Sequence, residues 1–258
     1  YDRIIEADRI SAERNRGHGN AIAQGYNHAI LPLMNERDRR TQIRWGLADF
    51  RHRFGRAAES LWLPETACNA ETLGALIDEG LRFVILSPYQ AERIRGLGAH
   101  NWHSVADGSI DPGVAYRYVH PDGSGRSIAI FFYDGPIARG IAFEGALASS
   151  QALIGRLAQA PGGQGRLVHI ATDGESYGHH TRLGERGLAH ALCVEVMNRG
   201  FSLINYGAFL DEFPPQMEVE IKSGPGDEGT AWSCSHGVGR WKRDCGCNAG
   251  ARDGWNQA

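Results

Sequence analysis

Leu61-Trp62-Leu63-Pro64-Glu65-Thr66 leads into Asn69-Ala70-Glu71-Thr72-Leu73-Gly74-Ala75-Leu76-Ile77-Asp78-Glu79-Gly80, and then directly into Leu81-Arg82-Phe83-Val84-Ile85-Leu86. Leu61 to Leu63 reads as a short strand that delivers Glu65. Asn69 has a side-chain oxygen suited to capping a helix start, Leu73, Leu76 and Ile77 fall at helical spacing, and Gly80 is a helix stop. The apolar run that follows at once is a buried strand. The same order returns later: Leu188, Leu192, Val196 and Met197 mark a helix, Gly200 ends it, and Phe201 to Ile204 is an expected strand. Strand, helix, glycine and strand in repetition indicate β/α units around a parallel sheet.

Working outward, Ile22 to Leu33 reads as a strand entering a loop, and Asn35 to Phe54 as a charged helix with Ile43, Leu47 and Phe50 inward. Its run Asn35-Glu36-Arg37-Asp38-Arg39-Arg40 is expected to be a solvated face with helical charge pairs. Val114 to Val119 and Ser127 to Tyr133 form an antiparallel insertion turned by Pro121-Asp122-Gly123-Ser124-Gly125. Leu167 to Thr172 is another expected buried strand, ending at Asp173. About five or six core strands are too few for a closed eight-stranded barrel, so an incomplete barrel fits best and a doubly wound sheet is second. After Pro214 the pattern decays. Residues 1–213 are expected to form the barrel domain and 214–258 an irregular extension.

Composition bounds the function. With 258 residues, 42% hydrophobic, the chain has enough apolar mass for one substantial core. Lys and Arg number 27 against 30 Asp and Glu, which argues against a polyanion or membrane-surface partner. No apolar run approaches the roughly 20 residues of a membrane span. The start at Tyr1 and the stop at Ala258 are expected to be those of an internal fragment. The cysteines, Cys68, Cys193, Cys234, Cys245 and Cys247, are odd in number and irregularly spaced, unlike a disulfide framework, which favours a cytoplasmic protein. The Gly-rich stretch from Pro161 to Gly165 lacks the Lys-Ser/Thr of a phosphate loop.

Chemistry concentrates in two acidic segments. Glu65 follows Pro64, three positions after Trp62, whose flat ring suits the C–H face of a pyranose. Taken alone, Glu65 has a bland explanation as an acid near a helix start. Asp173-Gly174-Glu175-Ser176-Tyr177-Gly178-His179-His180 follows an apolar run, and taken alone Asp173-Gly174 is an ordinary turn. Together, two strand-end carboxylates far apart in the chain indicate one pocket with an acid of raised pKa. His179 and His180 also admit a metal reading with Asp173, although adjacent residues on a strand face opposite ways. Cys234-x-His236 and Cys245-x-Cys247 carry the donors of a small Cys3His zinc site. One intervening residue replaces the usual two, so no metal is expected and plain thiols in an irregular tail are. The neighbouring Trp232, Arg240 and Trp241 are alternatively a sugar-site rim.

Trp62-Leu63-Pro64-Glu65, followed by Asp173-Gly174-Glu175-Ser176-Tyr177-Gly178-His179, resembles the two catalytic motifs of glycoside hydrolase family 57, with its α-amylase-like hydrolases, 4-α-glucanotransferases and branching enzymes. Gly19 to His28 resembles, more loosely, a further strand-and-loop motif, and the likeness spans Gly17 to Phe213. The resemblance implies an incomplete (β/α)7 TIM-like barrel, here with a β-hairpin insertion and truncated at both ends. It implies a retaining glycosidase or glucanotransferase acting on an α-glucan or oligosaccharide without a cofactor, Glu65 being the nucleophile and Asp173 the acid/base. His28, Trp62, Glu175 and His179 would line the sugar subsite, joined by Trp232 and Trp241. The family's His-Gln-Pro motif is missing from this chain, so activity of the chain by itself is not expected. The alternatives are a metal-dependent deacetylase or mannosidase-type barrel using Asp173 and His179, and a non-catalytic glycan-binding barrel. Nucleic acid and membrane are not expected partners, and oligomeric state is open.

Overall fold

A computed structural model describes residues 1–247. Four strands run parallel in chain order: β1 (Ala23–Gln24), β2 (Leu61–Trp62), β3 (Phe83–Leu86) and, after three intervening strands and a turn, β7 (Ser127–Phe132). Pairing of β1 with β2, the Ser60–Phe83 bridge, and pairing of β3 with β7 link them into one row. The larger sheet has the order β3-β7-β6-β8-β4-β5, where β4 is Ala91–Gly96, β5 His103–Ser104, β6 Ala115–Val119 and β8 Met217–Ile221.

The two expected helices flanking β2 form where the sequence places them. In α2 (Glu36–Phe54) the Asn35 side chain accepts from the Asp38 amide, and in α3 (Ala70–Asp78) the Asn69 side chain accepts from the Thr72 amide. Each cap satisfies an amide that has no partner inside its helix. Gly80 ends α3 at φ +76°, which a side chain would resist. Gly46 lets α2 lie directly on β1: a Cβ there would sit 1.8 Å from the Gln24 carbonyl oxygen. The remaining helices are α1 (Asp2–Arg14), α4 (Gly135–Phe143), α5 (Ser150–Leu157), α6 (Gly184–His190), α7 (Val196–Asn198) and α8 (Tyr206–Glu212). A π turn over Ala191–Glu195 joins α6 to α7.

Alternation along the strands sends side chains to opposite faces. Leu61, Val84, Leu86, Ile128 and Ile130 pack with Ile43, Leu73 and Leu76 of α2 and α3. Phe83, Ile85, Phe131 and Tyr133 turn the other way, against Phe209 of α8 and the partly buried Trp62 and Trp232. Each fully buried Leu or Ile contributes roughly 1.5–3 kcal/mol. No helix of the described residues is long and apolar enough to cross a membrane.

Five expectations change. The β6–β7 hairpin forms as an antiparallel pair, but β7 also pairs in parallel with β3 and so belongs to the core row. Leu167 to Thr172 is extended without being a strand. Both edges of β7 are taken by β3 and β6, leaving only the bonds from the Leu167 amide to the Gly113 carbonyl and from the Asp134 amide to the His169 carbonyl. Phe201 to Ile204 is likewise no strand, and Leu203 is exposed. The expected irregular extension after Pro214 begins with a strand, β8, whose Met-Glu-Val-Glu-Ile alternation pairs with β4. Within the charged run, Arg40 pairs with Glu36 as expected, but Arg39 is buried and donates to the Leu31 and Met34 carbonyls.

Candidate active site

At the carboxyl end of β2 the chain enters a tight turn, Pro64–Thr66. Glu65 (φ +59°) and Thr66 (φ +49°) both occupy the left-handed region, where a non-glycine residue costs of order 1–3 kcal/mol. The surroundings hold them there. The Thr66 amide donates to the Leu63 carbonyl at 2.9 Å, and the Gln90 side-chain amide to the Thr66 carbonyl at 2.8 Å. Cys68 and Thr230 exchange two backbone hydrogen bonds of 2.9 Å, which brings the segment after Gly229 alongside the turn. From that segment the Trp232 amide donates to the Glu65 carbonyl (3.1 Å) and its indole N–H to Glu65 Oε2 (3.1 Å). Strain maintained by this many contacts marks a turn whose side chain must point one way.

Asp173 arrives on the extended segment from Leu167. His169 anchors that segment: buried, it holds the Tyr206 hydroxyl on Nδ1 (2.9 Å) and the Pro112 carbonyl on Nε2 (3.0 Å). The carbonyl requires Nε2 to carry the proton, so Nδ1 accepts from Tyr206. Burial pushes the His169 pKa down to about 4, and the ring is neutral near pH 7.

Glu65 and Asp173 line one cavity of about 930 Å³, with Trp232, Tyr89, Tyr133, Ala171 and Thr172 in its wall. Desolvation raises the Asp173 pKa, and the negative charges of Glu175 and Glu65 raise it further, while His28 and His180 oppose them. No Arg or Lys pairs with Glu65, Asp173 or Glu175 among the described residues. His28 Nε2 lies 3.9 Å from Glu65 Oε1. Two carboxyl groups without a neutralising cation, one with a raised pKa, can divide the roles of nucleophile and proton donor.

The other expected site residues are placed as follows. Trp232 lines the cavity. Trp62 packs edge to face on Trp232 with ring centroids 5.3 Å apart and is absent from the cavity wall. Glu175 acts on Asp173 through its charge, and His179 is exposed, its ring against that of His180 at 4.9 Å. Trp241 is not brought to this cavity: it packs with Ile30, Leu33 and Val238 and borders a separate depression with Lys242 and Glu228. Asp173 and His179 belong to no grouping of three or more metal-donor side chains among the described residues, whereas Cys234, His236, Cys245 and Cys247 do form one. Tyr133, Tyr89 and His169 were not singled out in the sequence. Tyr133 and His169 each end or interrupt an apolar run, which is the local signal a polar group aimed at a site leaves.

The sequence profile of Glycosyl hydrolase family 57 matches residues 4–222. The chain belongs to this family. It is 22% identical over 223 residues to a 4-alpha-glucanotransferase of Thermococcus litoralis, a match covering 84% of this chain and 31% of that protein. The chain thus spans about a third of that relative's length. Its fold is similar to the crystal structure of the same Thermococcus litoralis enzyme (TM-score 0.58, 18% identity, 85% of this chain and 30% of that one). It is also similar to the branching enzyme of Thermococcus kodakaraensis (TM-score 0.67, 15% identity, 92% and 54%) and that of Pyrococcus horikoshii (TM-score 0.65, 15%, 90% and 51%). These likenesses establish a shared α/β, barrel-like architecture.

Proposed function

We propose that this family 57 chain is the catalytic part of a retaining, α-glycan-active hydrolase or transglycosylase, with Glu65 as nucleophile and Asp173 as general acid/base on an incomplete (β/α)7 barrel. The observation that carries the proposal is the convergence of Glu65 and Asp173, from segments far apart in sequence, on one cavity where desolvation and the charges of Glu175 and Glu65 raise the Asp173 pKa. The Trp232 indole fixes Oε2 of Glu65, which leaves Oε1 to attack the anomeric carbon. As the glycosidic bond breaks, Asp173 gives its proton to the departing oxygen and a glycosyl ester forms on Glu65. Asp173, now a carboxylate, takes a proton from water or from an incoming sugar hydroxyl, and that oxygen displaces Glu65 with net retention. Direct attack requires the carboxyls about 5–5.5 Å apart. Trp232 and Tyr133 offer apolar surface to the sugar ring.

The similarity to the 4-alpha-glucanotransferase of Thermococcus litoralis supports an α-glucan or maltooligosaccharide as substrate. The free thiols suit a reducing compartment such as the cytoplasm. The test is Glu65→Gln in the full-length protein, assayed for products from maltooligosaccharides and glycogen. Loss of both hydrolysis and transfer is expected, and an unchanged rate would remove Glu65 from the mechanism.

A further inference from the structure

Cys234, His236, Cys245 and Cys247 place their donor atoms within 4.8 Å of one another. Cys234 Sγ lies 3.8 Å from Cys245 Sγ, 3.5 Å from Cys247 Sγ and 3.8 Å from His236 Nδ1, and His236 Nδ1 lies 3.1 Å from Cys247 Sγ. Zinc–sulfur bonds of about 2.3 Å and zinc–nitrogen bonds of about 2.0–2.1 Å in a tetrahedron set sulfur–sulfur separations near ~3.8 Å and sulfur–nitrogen separations near ~3.5 Å. The observed spacings cluster around those values. They are also far longer than the roughly 2.05 Å of a disulfide. Three thiols converging on an imidazole nitrogen have no packing rationale of their own, since each is a poor hydrogen-bond partner for the next.

We propose that these four residues bind one zinc ion in a closed, structural site. Four protein donors complete the tetrahedron and leave no position for a reacting water, and none of the four lines the cavity of Glu65 and Asp173. Soft thiolates with one imidazole select zinc over magnesium, calcium or manganese. The His236 amide also faces Cys234 Sγ at 3.4 Å, placing a donor beside the charge a bound thiolate carries. The location gives the ion a task. Cys234 follows directly on the segment in which Thr230 pairs with Cys68 and Trp232 holds Glu65. Among the described residues, the apolar cluster under that segment is Ala67, Ala231 and Val238 with the partly buried Ile30, Leu33 and Trp241. Zinc fastens its far end, and Trp232 stays against the nucleophile turn. Zinc binding is independent of the catalytic assignment; only the benefit to Glu65 rests on it.

The test is metal analysis of the protein purified under reducing conditions without chelator, with cobalt substituted after removal of the native metal. One zinc per chain is expected, together with thiolate-to-cobalt charge-transfer bands and the intense visible absorption of tetrahedral cobalt. A Cys245→Ser, Cys247→Ser double variant should lose both, while Cys193→Ser, outside the cluster, retains them. Absence of zinc together with absence of cobalt bands in the folded wild-type chain would overturn the proposal. So would stoichiometric iron in place of zinc, or a disulfide among Cys234, Cys245 and Cys247 in the freshly purified protein. Loss of catalysis in Glu65→Gln with zinc retained would keep the two assignments separate.

Discussion

The two ends of the same strands carry the same residue types to opposite effect. At the amino ends of β2 and β3, Arg82 pairs with both Glu59 and Asp211, and His18 bridges the same two carboxylates at 2.9 and 3.0 Å. Every charge there has a partner, and the cluster ties α8 to the sheet. At the carboxyl end, Glu65 and Asp173 line one cavity, the charge of Glu175 acts on Asp173, and none of the three is paired with an Arg or Lys among the described residues. Arginine holds the Asp211 pKa below the ordinary carboxylate value, whereas burial and like charge lift that of Asp173. Closed charge networks serve stability; unpaired carboxylates in a cavity are costly unless the protein uses their protons.

That contrast breaks most sharply with one substitution at each end. Asp173→Asn should lower kcat by about 10²–10⁴-fold, the usual contribution of a general acid/base, with the unfolding midpoint unmoved. Equal activity in this variant would put the two ends on the same footing. Next in size is an acid effect at His169. Its folded pKa of about 4 lies below its unfolded value of 6.5, so the unfolded chain binds the extra proton first. The neutral ring's contribution is complete above pH 6.5 and lost as pH falls toward 4, on the order of 3 kcal/mol. Denaturant titrations across that range should show the loss, and His169→Asn should flatten it.

At the paired end, Arg82→Met leaves Glu59 and Asp211 with His18 as their remaining partner. A buried pair would cost 3–5 kcal/mol, but Arg82 is partly exposed, so ~1–2 kcal/mol is expected in chemical denaturation, with kcat unchanged well below the melting point. The smallest effect is Glu175→Gln. As the proposed general acid, Asp173 would act in its protonated form, so activity is expected to fall as pH rises through its pKa. Removing the neighbouring charge lowers that pKa, and the basic limb of the pH–rate profile should move to lower pH. A limb that stays in place would show that Glu175 is electrostatically silent.

Local signals were legible in the sequence and long-range ones were not. Asn35, Asn69 and Gly80 act through their nearest neighbours, so α2 and α3 begin and end where the residues say. Glu65 and Asp173 stood out as carboxylates ending apolar runs. Leu167 to Thr172 has the composition of a strand, yet whether it pairs depends on which edge β6 has already taken. The left-handed turn at Glu65 follows from Trp232, Gln90 and Thr66, contacts no local pattern announces. The Cys and His side chains at 234–247 carried unusual spacing in sequence, and only folding shows their donors converging.

The most direct measurement of the central claim is covalent trapping. An α-maltosyl fluoride needs no acid to expel fluoride, so in Asp173→Asn the first step proceeds while breakdown, lacking its base, stalls. Peptide mass spectrometry should then find one glycosyl adduct, on the peptide containing Leu61 to Thr66, at Glu65. An adduct on another residue, or substrate consumed with inversion and no adduct, would contradict it.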